Sequence, residues 1–300
     1  MEQDPELHNR RGVLLSNQGK YQEAFEAFEL SIQLNPEVSL YHYNLAQMAM
    51  ALGLEERARQ AFALYEEYKK GRCPYFPNRK VDRHEHLPLI QQPSEEDFEA
   101  LLAKGFRRKF ENLARNVCLT CSSCVQNRTR IQEFIPSKSQ KKVLKKNSDL
   151  KLELKPAREY DARQHLLYSQ YVQNRHKWKD EDYTSHLEMI HESSNRSLMF
   201  SWYLEGELVM VGVSDAAGKS LYASECYYNT AYKDRSLGIF NILSLIKYGK
   251  EQGFEYLYLG EYIEELPSMR YKMAFGPQEI FVKGRWVPRY IMLDTRGNPL

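Results

Sequence analysis

Residues 234–260, Asp-Arg-Ser-Leu-Gly-Ile-Phe-Asn-Ile-Leu-Ser-Leu-Ile-Lys-Tyr-Gly-Lys-Glu-Gln-Gly-Phe-Glu-Tyr-Leu-Tyr-Leu-Gly, decide the fold. Leu237, Phe240, Leu243 and Leu245 predict a helix that opens at Arg235-Ser236-Leu237-Gly238 and ends near Gly253, with a strand from Glu255 to Leu259 directly after it. Working upstream, Leu221 to Tyr228 reads as a strand, and residues 198–204 and 208–214 as apolar strands joined at Glu205-Gly206, a hairpin signal. A helix over Tyr160 to Arg175 puts Tyr160, Leu167 and Tyr171 on one face, Leu150, Leu152 and Leu154 alternate as a strand, and Lys138 to Asn147 reads as a basic helix capped by Ser137 or Ser139.

Antiparallel strands, a helix opened by an Arg/Gly loop and a further strand predict an α+β fold with a mixed sheet of the acetyltransferase (GNAT) type, its catalytic half spanning 159–300. In that arrangement the helix N-terminus, with its unpaired amides and partial positive charge, faces the phosphates of an acyl donor. Arg235 would add a charge-assisted contact, whereas Ser236 read alone is no more than an N-cap. Acetyl-CoA is the weaker donor, because Arg-Ser-Leu-Gly falls short of the glycine spacing of a pyrophosphate cradle.

Residues 1–72 read as helical. Gly12, Leu15, Gly19, Tyr21, Ala24, Phe28 and Pro36 recur as Ala46, Ala49, Gly53, Glu55, Ala58, Phe62 and Lys70, about 34 residues on, the spacing of a tetratricopeptide repeat. Two repeats fall short of the roughly three that stand alone, so this module is expected to pack on the rest of the chain or dimerise, and to offer a surface to a protein partner or else serve as a stabilising appendage without a ligand. A linker with Gly71, Pro74, Pro77, Pro88 and Pro93 follows.

Three hundred residues with 42% hydrophobic and 27% charged residues describe a globular chain of about two domains without a membrane-spanning run. The polar start, Met1 to Arg10, has neither the basic nor the apolar region of a secretory signal, so a cytoplasmic location is expected. The net charge of +2 conceals one block: residues 104–158 hold fifteen Lys and Arg against four Asp and Glu, a net of +11. Such a block is the footprint of a polyanion, or else a solvated basic face. Of five cysteines, Cys118, Cys121 and Cys124 stand at C-x2-C-x2-C spacing with Cys73 as a fourth. In an intracellular chain this pattern points to zinc or, given the triple spacing, an iron–sulfur cluster, with reduced thiols as the alternative. Cys226 reads as a small core residue.

Several blocks in order, Cys73-Pro74-Tyr75-Phe76-Pro77, Gly105-Phe106-Arg107-Arg108, Cys118-x-x-Cys121-x-x-Cys124 with Arg128, Pro136 to Leu144, Arg235-Ser236-Leu237-Gly238, Tyr256 to Gly260 and Met269-x-Tyr271-Lys272, resemble the N-degron aminoacyl-tRNA protein transferases. Within that family the bacterial aspartate/glutamate leucyltransferases are the nearer likeness and the arginyltransferases the more distant. The resemblance covers about Cys73 to Trp286, which divides the chain into a repeat module (1–72), a Cys-rich basic transferase half (73–158) and an acetyltransferase-like half (159–300).

The resemblance implies transfer of leucine, or arginine, from tRNA to the α-amine of proteins beginning with Asp or Glu, which marks them for degradation, and an iron–sulfur centre on Cys73, Cys118, Cys121 and Cys124. The basic block is then where tRNA would lie, with Arg107, Arg108, Lys138, Lys141, Lys142, Lys145 and Lys146 on phosphates and Tyr256, Tyr258, Tyr262 and Tyr271 stacking on the terminal adenine. Amides at Leu259-Gly260 and Ser236 to Gly238 are the candidates for holding the tetrahedral oxyanion, Tyr271 for protonating the departing ribose oxygen, and Lys272, Arg270 and Arg235 for meeting the acceptor's acidic side chain. Glu225, Asn229 and Glu261 depart from the family's pattern, and the two carboxylates are expected to disfavour an acidic acceptor. A transferase of altered specificity, or a non-catalytic metal-binding adaptor with a protein-binding repeat module, are the alternative readings.

Overall fold

The computed structural model describes residues 4–68, 73, 75–76, 84–88, 93–109, 112–116, 118, 121–176, 187, 190–191 and 196–289. Lys70, Gly71, Pro74 and Pro77 of the sequence reading lie outside the described residues. The chain forms two compact units, Met1–Ile90 with Asn116–Thr120, and Gln91–Arg115 with Cys121–Leu300.

The first unit carries helices α1 (Pro5–Asn17), α2 (Tyr21–Leu34), α3 (Ser39–Ala51) and α4 (Glu55–Tyr68), and strand β1 (His84–Pro88). Asp4 caps α1, its carboxylate accepting from the Glu6 amide at 3.0 Å. The repeat is visible in the backbone: the Lys20 amide donates to the Leu15 carbonyl at 3.0 Å and the Leu54 amide to the Ala49 carbonyl at 2.8 Å, each just after a glycine at φ 74°. Ala24, Ala46, Ala49 and Ala58 are fully buried between helices, with Phe25, Phe28 and Leu45 as the large side chains of the core. A Cβ on Gly12 would come within 2.5 Å of the Phe28 ring, so close approach of α1 and α2 requires the missing side chain.

The second unit carries α5 (Glu95–Ala103), β2 (Arg107–Lys109), β3 (Asn112–Asn116), β4 (Val125–Arg130), α6 (Lys138–Lys146), β5 (Lys151–Pro156), α7 (Ala162–Tyr171), β6 (Ser197–Leu204), β7 (Glu207–Ala217), β8 (Ser220–Tyr228), α8 (Leu237–Gln252), β9 (Tyr256–Tyr262), β10 (Gln278–Val282) and β11 (Arg285–Pro288). Eight strands form one mixed sheet in the order β11-β10-β4-β9-β8-β7-β6-β5. The fold is thus α+β with an N-terminal helical module, as the sequence predicts. The boundary read at 158/159 separates no bodies, because β4 and β5 are strands of the same sheet as β6 to β11.

The local signals act as expected. Glu205 and Gly206 take φ of 50° and 91° to close the β6–β7 hairpin, and Gly253 at φ 81° ends α8. Ser137, not Ser139, caps α6, in a capping box with Gln140. The helix of Tyr160 to Arg175 is α-helical only over Ala162–Tyr171 and continues as a π-helical turn over Val172–His176.

The sheet is covered on both faces. Leu243, Leu245 and Ile246 of α8 pack with Leu221, Leu257, Leu259 and Phe200 on one face, while Leu167, Tyr168 and Val172 pack with Met199, Val211, Val213 and Tyr227 on the other. Burial on both sides explains why β7 reads as a continuous apolar run rather than an alternation. Each of these large side chains contributes about 1.5–3 kcal/mol by leaving water.

The parallel pair at the centre positions the site. β8 and β9 pair only over Ser220, Leu221 and Tyr222 against Tyr256, Leu257 and Tyr258, and the continuing strands no longer pair with each other. Each strand carries a bulge just past that point, β8 against β7 between Val213 and Ser214, and β9 against β4 between Asn127 and Arg128. A bulge bends its strand away from the ladder, so the two strands open a wedge at the middle of the sheet.

Candidate functional site

The wedge is built from β8 residues Ser224, Glu225 and Cys226, β9 residues Gly260 and Glu261, the Tyr271-Lys272 pair that follows a helical turn over Pro267–Arg270, and two arginines of β2. Gly260 is held at φ 73°, a conformation open to glycine, and its carbonyl accepts from the Asn127 side chain at 2.9 Å.

Arg107 and Arg108 both point into this region and both are engaged there. The Arg107 guanidinium reaches Glu261 Oε1 through Nε and Nη2, each at 2.9 Å. Arg108 Nε donates to Asp215 Oδ2 at 2.5 Å and its Nη2 to Ser224 Oγ at 2.7 Å, while Ser197 Oγ donates to Asp215 Oδ1 at 2.5 Å. Arg108 and Asp215 are buried and Arg107 is half-buried, and both guanidinium groups are engaged by carboxylates of the fold where phosphate contacts are expected of them. The same pairing corrects the reading of Glu261: its charge is balanced by Arg107, so it does not stand as a bare carboxylate against an acidic substrate. Asp215, Ser197 and Ser224 went unread in the sequence, although an aspartate closing the apolar run of β7 is a signal that a partner must exist.

Lys272 supplies the cation of the wedge. Its Nζ donates to the Glu261 carbonyl at 2.8 Å and lies 4.0 Å from where a Cβ on Gly260 would stand. Burial pulls its ammonium down to about 8, with the Arg107 charge acting the same way and Glu261 and Glu225 opposing. Near pH 8 it is therefore part neutral amine and part ammonium. Burial raises the Glu225 carboxyl above the usual carboxylate value, against the pull of the Cys226 amide, Lys272 and Arg108. Tyr271, 40% exposed at the rim, has its phenol pushed up to about 12, first by desolvation and then by the charges of Cys226, Tyr228 and Glu225. It stays protonated and can donate. The Tyr171 and Tyr228 rings meet at 5.0 Å between centres, tilted by 58°, and Tyr228 approaches the first turn of α8, 3.9 Å from a Cβ position on Gly238.

The opening of α8 is stapled to the end of α6. Arg235 makes a two-pronged ion pair with Asp149 at 2.8 and 2.9 Å and donates to the Lys146 carbonyl at 3.1 Å. Asn147 Nδ2 donates to the Arg235 carbonyl at 2.9 Å, and Lys146 Nζ to the Asp234 carbonyl at 2.6 Å. The Arg235 guanidinium is thus occupied in holding the loop, which accounts for the residue without a phosphate or an acceptor side chain. Arg270, exposed, donates to the Glu264 carbonyl at 2.8 Å. Ser236 occupies the N-cap position the sequence offers, but at φ 53° and with no side-chain cap bond. Its carbonyl accepts from Ile239 and Phe240, each at 3.0 Å.

Lys138, Lys141, Lys142 and Lys145 are exposed on α6, while Val143, Leu144 and Gln140 hold that helix to the fold. Three of the tyrosines expected to stack on a base are engaged elsewhere. Tyr256, Tyr258 and Trp286 surround the Arg128 guanidinium at 3.8, 5.6 and 4.4 Å, and Arg128 also pairs with Glu279 at 2.6 Å. Tyr262 is buried, its hydroxyl donating to Glu264 at 2.5 Å. Only Tyr271 remains at an accessible rim.

Cys73, Cys118, Cys121 and Cys124 are all half-buried, and among the described residues no group of three or more His, Cys, Asp or Glu is placed to hold a metal ion, so the zinc or iron–sulfur centre expected on them has no support there. Cys226 is half-buried in the wedge, packed beside Met210, Leu237 and Phe240 rather than sealed in the core, and burial raises its thiol.

The model of the arginine-tRNA-protein transferase N terminus matches residues 71–142 and that of its C terminus residues 163–282, with a tetratricopeptide repeat over 5–38. An aspartate/glutamate leucyltransferase of Leptospira interrogans is 33% identical over 214 residues, 69% of this chain and 82% of the relative. One of Pseudoalteromonas atlantica is 33% identical over 222 residues, 71% and 92%, and one of Methylobacillus flagellatus 34% over 218 residues, 71% and 82%. Among solved structures, L-PGS from Bacillus licheniformis is 14% identical with a TM-score of 0.36 over 59% of this chain and 53% of its own, too loose to bear on fold or function. With both segments matched in order and relatives a third identical over most of their length, the chain belongs to the arginine-tRNA-protein transferase family.

Proposed function

We propose that this protein transfers leucine from charged tRNA to the α-amine of proteins that begin with Asp or Glu, marking them for degradation. The observation that carries the reading is the wedge between β8 and β9, with Lys272 inside it and the N-terminus of α8 beside it, in a chain whose relatives are named aspartate/glutamate leucyltransferases. Opening of a parallel pair next to a helix N-terminus is also what supports an acetyltransferase-like core.

The aminoacyl ester enters the wedge, and the acceptor amine attacks its carbonyl. The reaction asks mainly for positioning and for stabilisation of the tetrahedral oxyanion. Amides of Leu237 and Gly238 at the start of α8, and of Leu259-Gly260 at the bulge, are the donors assigned to the oxyanion and the terminal phosphate. Lys272, with its ammonium present below pH 8, meets the acidic side chain of the acceptor. Tyr271, protonated across the working range, donates to the departing ribose oxygen. Lys138, Lys141, Lys142 and Lys145, exposed on α6, take the tRNA backbone. A rim of Tyr171, Tyr228 and Cys226 is better matched to a leucyl than to an arginyl side chain. The repeat module would hold a protein partner, and a tRNA substrate implies a cytoplasmic site of action; no helix among the described residues is long and apolar enough to cross a membrane.

The test is a transfer assay with separately charged Leu-tRNA, Arg-tRNA and Phe-tRNA against peptides that differ only in their first residue. Leucine arriving on Asp and Glu peptides is the expected result. Arginine as donor would assign the chain to the other branch, and no transfer from any donor would favour the adaptor.

A further inference from the structure

We propose that Glu225 is the proton acceptor for the α-amine that attacks the aminoacyl ester, a role that rests on the transfer reaction above. Glu225 lies on β8 immediately after the bulged Ser224, beyond the last pairing with β9, and is half-buried in the wedge. Among the described residues its carboxylate has one hydrogen-bond donor, the Cys226 amide at 3.2 Å, and no ion pair. A half-buried carboxylate ordinarily collects two or three donors or a cation. Here the neighbouring cations are turned to other partners: Arg108 to Asp215 and Ser224, and Lys272 to the Glu261 carbonyl.

The groups that face Glu225 come from every element around it. Lys272 and Tyr271 approach from the segment after β9, Arg108 from β2, Tyr168 and Tyr171 from α7, and Tyr227 and Cys226 from β8 itself. The phenols and the thiol are all shifted upward and remain neutral, and Lys272 and Arg108 draw the carboxyl toward its ionised form. The carboxylate therefore keeps open acceptor positions, and Arg175, on the turn after α7 and near enough to act on Tyr171, Tyr228 and Tyr271, is the further cation of this neighbourhood among the described residues. A carboxyl raised above the usual range is also closer to an α-amine, at about 7.7–8.0, than an exposed one.

The step balances without a further reagent. The acceptor ammonium gives one proton to a Glu225 oxygen, and the freed nitrogen pair forms the C–N bond at the ester carbonyl. The tetrahedral adduct collapses as the C–O bond to the ribose breaks, with the electron pair staying on the ribose oxygen. That oxygen takes up one proton from Tyr271, which recovers one from solvent, while the proton held by Glu225 and the second amine proton pass to solvent.

Glu225→Gln keeps the shape and removes the base. Transfer of leucine to an Asp-initiated peptide and aminolysis of Leu-tRNA by hydroxylamine, which is already unprotonated near neutral pH, are measured on the same intact variant across pH. The expected result is a fall in peptide kcat/KM of about 100-fold, the usual contribution of a general base, recovering toward alkaline pH, with hydroxylamine aminolysis near wild type and Glu225→Asp intermediate. Equal loss with both nucleophiles, or an unchanged peptide rate and pH profile, overturns the role. A wild-type protein inert with both nucleophiles would instead remove the transfer reaction, and the role with it.

Discussion

Arg108 is the residue on which the wedge depends. Its guanidinium ties β2 to β7 through Asp215 and to the β8 bulge through the half-buried Ser224, with Arg108 and Asp215 themselves out of water. Removing one partner of such a buried pair leaves an uncompensated charge, so Asp215→Ala or Arg108→Ala is expected to cost about 3–5 kcal/mol, measured by urea unfolding, with Asp215→Asn cheaper because it keeps an acceptor. Lys272 behaves in the opposite sense. Its ammonium sits near 8 in the fold and at about 10.4 in the unfolded chain, so between those values the unfolded state binds more protons and stability rises with pH. The penalty is complete below about pH 8 and relieved toward pH 10.4, at most about 3 kcal/mol from the shift. Lys272→Met should lose that slope, gain stability near neutrality and lose transfer. Unfolding midpoints of the two proteins at pH 7.5 and 10 check it, and parallel slopes would count against a perturbed lysine.

At the scale of elements, α6 and the start of α8 act together. Because Arg235 is clamped by Asp149, Arg235→Ala and Asp149→Asn should each loosen this junction by about 1 kcal/mol, the modest value of a half-exposed pair, and change tRNA affinity alike. A tRNA loss confined to Arg235→Ala would restore the phosphate role. On α6 itself, each of Lys138, Lys141, Lys142 and Lys145 that touches a phosphate contributes about 0.9 to the slope of log affinity against log salt. Replacing all four with Gln should flatten that slope in a filter-binding series without shifting the unfolding midpoint, because none of the four is buried. How far each element is legible in the sequence follows from the range of its causes. The hairpin at Glu205-Gly206, the Ser137 capping box and the paired glycines of the repeats are set by neighbours a few residues away, and all appear where expected. The tyrosines of β9 mislead, because aromatic composition does not reveal that Arg128 stands between Tyr256 and Trp286.

For the molecule as a whole, an eight-stranded sheet with helices on both faces concentrates stability at its middle. Val209, Met210, Val211, Val213 and Leu221 are fully buried, so the backbone amides of β7 and the first half of β8 should exchange with solvent more slowly than those of β5 or β11 at the edges. Hydrogen exchange read by mass spectrometry is the check. By itself the sequence determined α6, α8, the strands β5 to β9, the repeat module, the basic face of α6 and the family, since each rests on local periodicity, capping or ordered blocks, whereas β4, β10 and β11 of the same sheet carried no such signal. Only the tertiary structure decided the chemistry of the wedge. Glu261 is neutralised by an arginine 154 positions away and Asp215 by one 107 positions away, contacts that exist because the strand order brings β2, β7, β8 and β9 together and two bulges force the central pair apart.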